Sequence, residues 1–210
     1  MPYRFLEIAC TPSVRAIQEA NGVGRATARD PSTIDAQSFT PAEIQFIGER
    51  DSFYMATVSE TGWPYVQHRG GPPGFLRVID DRTLAFADFR GNRQYISAGN
   101  LAAHNRAALF LMDYPNRRRL KIYARIEAKD LGSEPKLDAA LALSGYKAKI
   151  ERGFVVRLEA YNWNCPQHIT PRFSEAELES ALGPIRRHIE KLEAENRLLR
   201  SKLAVGEVQS

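Results

Sequence analysis

From residue 52 onward, apolar and polar positions alternate in short runs, the period-two signature of strands with one buried face. Phe53-Tyr54-Met55-Ala56-Thr57-Val58 is rich in β-formers, and Ser59-Glu60-Thr61-Gly62 supplies a turn before a returning strand over 63–69. Gly70-Gly71-Pro72-Pro73-Gly74 breaks the pattern, and five further strand runs follow at 75–79, 83–87, 107–112, 120–126 and 154–160. Asp80-Asp81-Arg82 makes a tight connection between two of them. Seven short strands with few long helices between them predict a mainly β fold, a closed antiparallel barrel.

Helical signals flank the strands. Thr40-Pro41-Ala42-Glu43 combines an N-cap, a proline at the first helical position and an early acid, so a helix should run to about Arg50. Further helices are expected over 95–104 and 134–150, the second with Leu137, Leu141 and Ala148 on its apolar face. Before residue 40 stand a short amphipathic segment near 14–20 and a polar run over 21–35. Asn21-Gly22-Val23-Gly24 lacks a third glycine and a preceding strand, so it reads as a loop. Three regions result: an extension over 1–39, a barrel over 40–172 and a helical tail over 173–210.

The tail has its own period. Ser174-Glu175-Ala176-Glu177 is a capping-box signature, and Gly183-Pro184 predicts a restart or kink. Leu182, Ile189, Asn196 and Leu203 recur every seven residues, as do Ile185, Leu192 and Leu199. These are a and d positions of a heptad, and one Asn at a favours a parallel two-stranded coil. Glu195 at g would face Arg200 at e of a partner helix. The alternative is an amphipathic helix lying on its own barrel.

Composition narrows the class. Hydrophobic residues make up 43% of the 210 and charged residues 26%, ordinary for a globular chain. No stretch approaches the roughly 18 apolar residues of a membrane span, so no membrane partner is expected. Arg4 and Glu7 fall where a signal peptide would carry its apolar run, and two cysteines form no disulfide framework. A cytoplasmic protein is expected. The net charge is only +4, yet 22 of the 29 cationic residues are arginine, whose planar fork binds phosphate and carboxylate bidentately.

Position decides what those arginines do. Gln67-His68-Arg69-Gly70-Gly71 lies where a strand opens into a glycine-rich bend, and Gly91-Asn92-Arg93-Gln94 lies where a strand gives way to a helix. A helix N-terminus beside an Arg is an anion site, and a second Arg at a neighbouring strand end adds another fork. The alternative is that Arg69 and Arg93 are merely solvated. Arg117-Arg118-Arg119 with Lys121 is a single basic cluster, and the segment before the heptads is acidic, so nucleic-acid binding is not expected. Cys165 and His168 make half a zinc site and the other half is missing.

The blocks FYMATVSETGWPYVQHRGGPPGFLRVIDDRTLAFADFRGNRQYIS, NL and ALFLMDYPNRRRLKIYARIE, in this order, resemble the pyridoxamine 5'-phosphate oxidase-like family of FMN-binding split barrels. The resemblance covers about residues 40–170. It implies a six-stranded antiparallel split barrel that forms a homodimer, with FMN in a cleft between subunits. It implies cofactor contacts from Arg69, flanked by His68 and Gly70, and from the Asn92-Arg93-Gln94 turn. Gln94 stands where relatives carry a Lys, which shifts phosphate binding onto Arg69 and Arg93. Arg119 stands where relatives carry a Gln near the flavin ring, and a cation there would favour the reduced, anionic flavin. Trp163 matches a residue placed beside the flavin, with Gln167 or His168 within reach of N5 or substrate. The alternative is that Trp163 plugs the core and His168 lies on the surface. Some related barrels use deazaflavin or haem, but no lone His here is placed as a haem ligand, so FMN is the expected cofactor.

The implied function is an FMN-dependent oxidoreductase acting on a small organic substrate. Authentic pyridoxamine phosphate oxidation is not expected, because the chain ends in a heptad helix where that activity has a substrate-binding segment with Trp and Arg near a Leu-Pro end. The alternatives are a flavin-binding protein without turnover, for storage or sensing, and an assembly protein using the barrel as a dimer scaffold.

Overall fold

The computed structural model describes residues 4–23, 38–163 and 166–207, without the side chains of 201–207. The run over 24–37 and Cys165 lie outside the described residues. Contacts divide the chain into two units, one of residues 1–113 with 117–169, the other of 114–116 with 170–210.

The first unit is built on one seven-stranded antiparallel sheet. Its strands are β1 (Ser52–Val58), β2 (Pro64–Gly70), β3 (Arg77–Asp80), β4 (Thr83–Phe89), β5 (Arg106–Asp113), β6 (Arg118–Asp130) and β7 (Ile150–Trp163). They lie in the order β2-β1-β5-β6-β7-β4-β3. Every expected strand run is present, but β6 and β7 extend to 13 and 14 residues. The four-residue β3 pairs only with β4 and raises the count above the six that the resemblance implied.

The ladder does not close as the strand pattern predicted. β2 and β3 are its two edges, yet the sheet curls until its distant strands meet. Phe53 of β1 packs edge-on against Phe86 of β4 at 5.2 Å between ring centroids, although three strands separate them in the ladder. Closure is made by side chains where backbone hydrogen bonds are missing, which is what splits the barrel. Inside the curl, Phe46, Phe53, Phe86, Phe154, Met55 and Leu109 are fully buried. Burying such side chains supplies about 1.5–3 kcal/mol each.

The helices are α1 (Arg4–Ala9), α2 (Pro12–Ala20), α3 (Pro41–Gly48), α4 (Ile96–Ala103), α5 (Pro135–Leu141) and α6 (Glu175–Glu207). They flank the strands in sequence, α6 belonging to the second unit. The expected helix over 134–150 stops at Leu141, where Ala142 turns extended at ψ 122°, and Gly145 then turns the chain through a left-handed φ of 77° on its way to β7. Leu137 and Leu141 of α5 pack on Ala85, Ala87 and Val155, and a Cβ at Gly153 would stand 2.6 Å from Leu141. Among the described residues α1 is an unanticipated element, and its buried Phe5 stacks on Tyr123 at 4.7 Å. In the second unit, Ser174 and Glu177 form the expected capping box, and α6 runs unbroken through Pro184 instead of restarting. Among the described residues no helix is long and apolar enough to cross a membrane.

α3 is pinned to the barrel by a buried carboxylate. Glu43 accepts hydrogen bonds from the Thr40 backbone and hydroxyl at 3.0 and 2.5 Å, from Tyr161 at 3.0 Å and from Trp163 Nε1 at 2.6 Å. Burial pushes its carboxyl up, and the Thr40, Trp163 and Tyr161 hydrogen bonds outweigh that and hold it below its ordinary 4.5. A lowered acid stabilises the fold above its unfolded-state value, and that stability is lost as pH falls through the folded-state value. Glu43→Gln should therefore cost about 1–3 kcal/mol at pH 7. The deficit relative to wild type should shrink below about pH 4.5, as urea unfolding at a series of pH values will read. A deficit independent of pH would contradict the assignment.

Candidate functional site

The split leaves a pocket of about 220 Å³ where β2, the end of β4, the loop over 90–95 and the start of α4 converge. Alternation along β2 turns Tyr65, Gln67 and Arg69 to the inner side, opposite Thr57, Met55 and Phe53 of β1. His68 and Val66 face outward. The pocket therefore gathers Arg69, Asn92, Arg93 and Gln94 from the sequence candidates and omits His68, Gly70, Arg119 and Trp163.

Arg69 is not a free cation. Its Nη1 donates to Asp88 Oδ1 at 2.6 Å, and its guanidinium lies over Phe86 and Phe154 at 5.8 and 5.6 Å. Arg152 of β7 sits on the other oxygen of Asp88, with Nε 3.2 Å away but not aligned for a hydrogen bond. Asp88 is buried, so one carboxylate holds two guanidiniums across the split. Arg69 Nε is buried and has no hydrogen-bond partner.

The loop above is set by backbone conformations that ordinary residues rarely take. Arg93 and Tyr95 have φ of 61° and 52°, in the left-handed region, each costing on the order of 1–3 kcal/mol unless neighbours hold it. Neighbours hold Tyr95. Arg93 Nε donates to its hydroxyl at 3.4 Å, the Arg152 guanidinium covers its ring at 5.0 Å, and its hydroxyl bonds to Glu151. The Arg90 hydrogen bond holds the Glu151 carboxyl below its ordinary value. The Tyr95 hydrogen bond raises the Arg93 guanidinium further above its usual value.

Tyr95 is also the N-cap of α4 and gives it no side-chain cap. Ile96, Ser97 and Ala98 line the pocket, so the positive end of the helix faces into it. Ser97 is buried and donates its hydroxyl to Gln67 Oε1 at 2.7 Å, tying α4 to β2. Asn100 donates to Thr57 at 3.0 Å, tying α4 to β1 as well. Asn92 orders the turn itself, with Oδ1 accepting from the Gln94 backbone at 3.2 Å.

The remaining candidates stand elsewhere. His68 lies edge-on to Tyr54 on the outer face, at 5.6 Å. Gly70 closes β2 beside it, where a Cβ would meet His68 at 3.0 Å. Arg119 is also on that outer face, its guanidinium 5.7 Å from Phe110 and its Nε buried without a partner. Its neighbour Lys121 has its ammonium pushed below the ordinary value by burial first and by Arg119 second. Trp163 bonds to Glu43 and packs edge-on to Phe46, so in this chain it serves the core around α3. Sequence reasoning missed Tyr65, Asp88, Tyr95, Ser97 and Glu151, and named Gln67 only as part of its motif. Stepping by two from Arg69 along its strand would have found Gln67 and Tyr65. Asp88 carried no such signal, because its two partners come from strands distant in sequence. No group of three or more His, Cys, Asp or Glu able to hold a metal occurs among the described residues.

A family model described as pyridoxamine 5'-phosphate oxidase matches residues 39–161, more than half of the chain. The chain belongs to that family. Among solved structures it resembles HupZ of Group A Streptococcus, with 14% identity over 64% of this chain and 100% of that one, at a TM-score of 0.49. It also resembles an FMN-binding protein of Syntrophomonas wolfei subsp. wolfei, with 16% identity over 58% and 86% and a TM-score of 0.45. A protein related to general stress protein 26 from Clostridium acetobutylicum matches at 14% identity over 65% and 94%, with a TM-score of 0.45. No curated protein matches the chain.

Asp88 and Arg93 should differ sharply in stability measurements. Asp88→Asn leaves two half-buried guanidiniums without their shared buried carboxylate and should cost about 3 kcal/mol. Arg93→Ala removes an exposed side chain and should stay within about 0.5 kcal/mol of wild type. Denaturant midpoints of the two variants check both; equal losses would show that Asp88 is not the tie across the split.

Proposed function

We propose that this protein binds FMN and acts as a flavin-dependent oxidoreductase on a small organic substrate. The observation that carries the reading is the meeting of Arg69, Asn92, Arg93 and Gln94 with the uncapped start of α4 in one pocket at the split of a family barrel. Those groups suit a phosphate monoester: two guanidiniums, two amides and a helix N-terminus, with one buried donor, Arg69 Nε, lacking a partner. Asp88 keeps Arg69 oriented at the pocket wall.

The pocket is smaller than the roughly 300–1,000 Å³ that enclose most cofactors, so it suits the phosphate end and leaves the ring to other walls. We assign those walls to a second copy of the chain in a homodimer. His68 and Arg119, on the outer face of the sheet, would reach a cofactor only as residues contributed to the partner's cleft. When bound, the flavin supplies electron transfer at its ring, and the protein supplies binding, orientation and charge. Arg119 would hold positive charge near that ring. A soluble, cytoplasmic setting fits this reading.

A second reading, a flavin-binding protein without turnover, is favoured by the lining of the pocket. Among the described lining residues there is no His or Cys, Asp88 is committed to two arginines, and Glu151 is held ionised by Arg90. The chain's own groups therefore offer no proton carrier poised near neutral pH.

Purified protein should be yellow or take up FMN, with fluorescence quenching on titration. Arg93→Ala should weaken FMN about tenfold, the worth of one exposed charge-assisted hydrogen bond. A colourless protein that ignores FMN would sink both readings, and unchanged affinity in the variant would move the phosphate elsewhere. Steady NAD(P)H oxidation with an electron acceptor then separates enzyme from binder.

A further inference from the structure

α6 is 33 residues long and carries an unpartnered apolar stripe. Leu178, Leu182, Ile185, Ile189, Leu192 and Leu199 are 41–59% exposed and recur at alternating steps of four and three. With Asn196 and Leu203 they fill eight successive a and d positions. Gly183 and Pro184 fall at b and c, off the seam, so neither interrupts it. Within the helix, the (i, i+4) pairs Lys191–Glu195 and Glu193–Arg197 lie beside the seam at 3.9 Å.

We propose that α6 associates with α6 of a second copy as a parallel, in-register, two-stranded coiled coil whose alignment is set by Asn196. The argument is one of elimination. In an antiparallel pair an a residue faces d residues, and every d residue here (Leu178, Ile185, Leu192, Leu199) is apolar. In a parallel pair slipped by a heptad, Asn196 would face Ile189 or Leu203. In both, the amide is buried without a partner, a cost of about 1–3 kcal/mol per amide. Only parallel pairing in register sets Asn196 against its own copy, amide to amide. The same alignment puts Glu195 at g beside Arg200 at e of the partner, and His188 at g beside Glu193. The occupant of the stripe is therefore this chain itself. This goes beyond the cofactor reading and does not depend on it.

The consequence is orientation. Both chains enter a parallel coil at the same end, at Glu175, so the segments preceding α6 in the two copies are tethered together and their effective concentration rises.

Cysteine crosslinking of the full chain tests this. Leu199→Cys, at d near one end, should form a disulfide-linked dimer under mild oxidation roughly tenfold faster than Ala194→Cys at f, because only d side chains meet across the seam. Mass spectrometry should find position 199 linked to position 199. No link at 199, or equal rates at 194, would overturn the proposal, and so would a helix folded back on its own chain, which gives neither. Asn196→Leu should keep association but broaden the mass distribution beyond dimers; an unchanged, single-register dimer would show that Asn196 does not set the alignment. FMN uptake by the same samples answers the cofactor question separately.

Discussion

The site depends on one buried carboxylate placed where the sheet fails to close. The ladder runs from β2 to β3 without joining, so nothing in the backbone holds β2 against β4. Asp88 does so with a side chain, receiving Arg69 from β2 and Arg152 from β7. Burial makes an unanswered charge expensive, and the low dielectric that makes it expensive also strengthens the bond once made. The core alone would favour a curl; the ion triad, with Phe53 against Phe86, sets where the curl stops.

From that constraint the pocket follows. A split held by side chains leaves an opening between β2 and β4, and the chain fills its rim with a loop and the start of α4. The loop passes through two left-handed residues, Arg93 and Tyr95, which persist because Tyr95 is bonded and stacked to β7. Strain, uncapped helix and cationic excess thus occupy the same few residues, the ordinary signature of a place kept for a ligand rather than for stability.

Much of this was legible in the chain. Strand positions followed from alternation and β-branched or aromatic content, and α3 followed from Thr40, Pro41 and Glu43, whose capping box the structure contains. Arg69 and the 92–94 turn were found as strand-end and helix-start cations. What stayed hidden was non-local. Closure of the ladder depends on which distant strands meet, and the pairing of Asp88 with residues 19 and 64 positions away has no local pattern. Leu137, Leu141 and Ala148 keep helical spacing, yet α5 ends at Leu141 because Ala142 turns extended, a backbone choice with no side-chain signal. Trp163 was ambiguous for a similar reason: an indole donor suits a ligand or a buried acid, and here Glu43 takes it.

The triad has a consequence for how this site tolerates change. Gln94 and Asn92 are exposed loop residues, and Asn92 closes their turn by accepting from the Gln94 backbone. Arg69, Asp88 and Arg152 form a linked set, because losing Asp88 leaves two half-buried guanidiniums facing each other without their shared carboxylate. The rim can therefore change by single substitutions, while the frame beneath it changes only by concerted ones. Such a barrel is suited to acquiring new small-molecule partners on an unchanged scaffold.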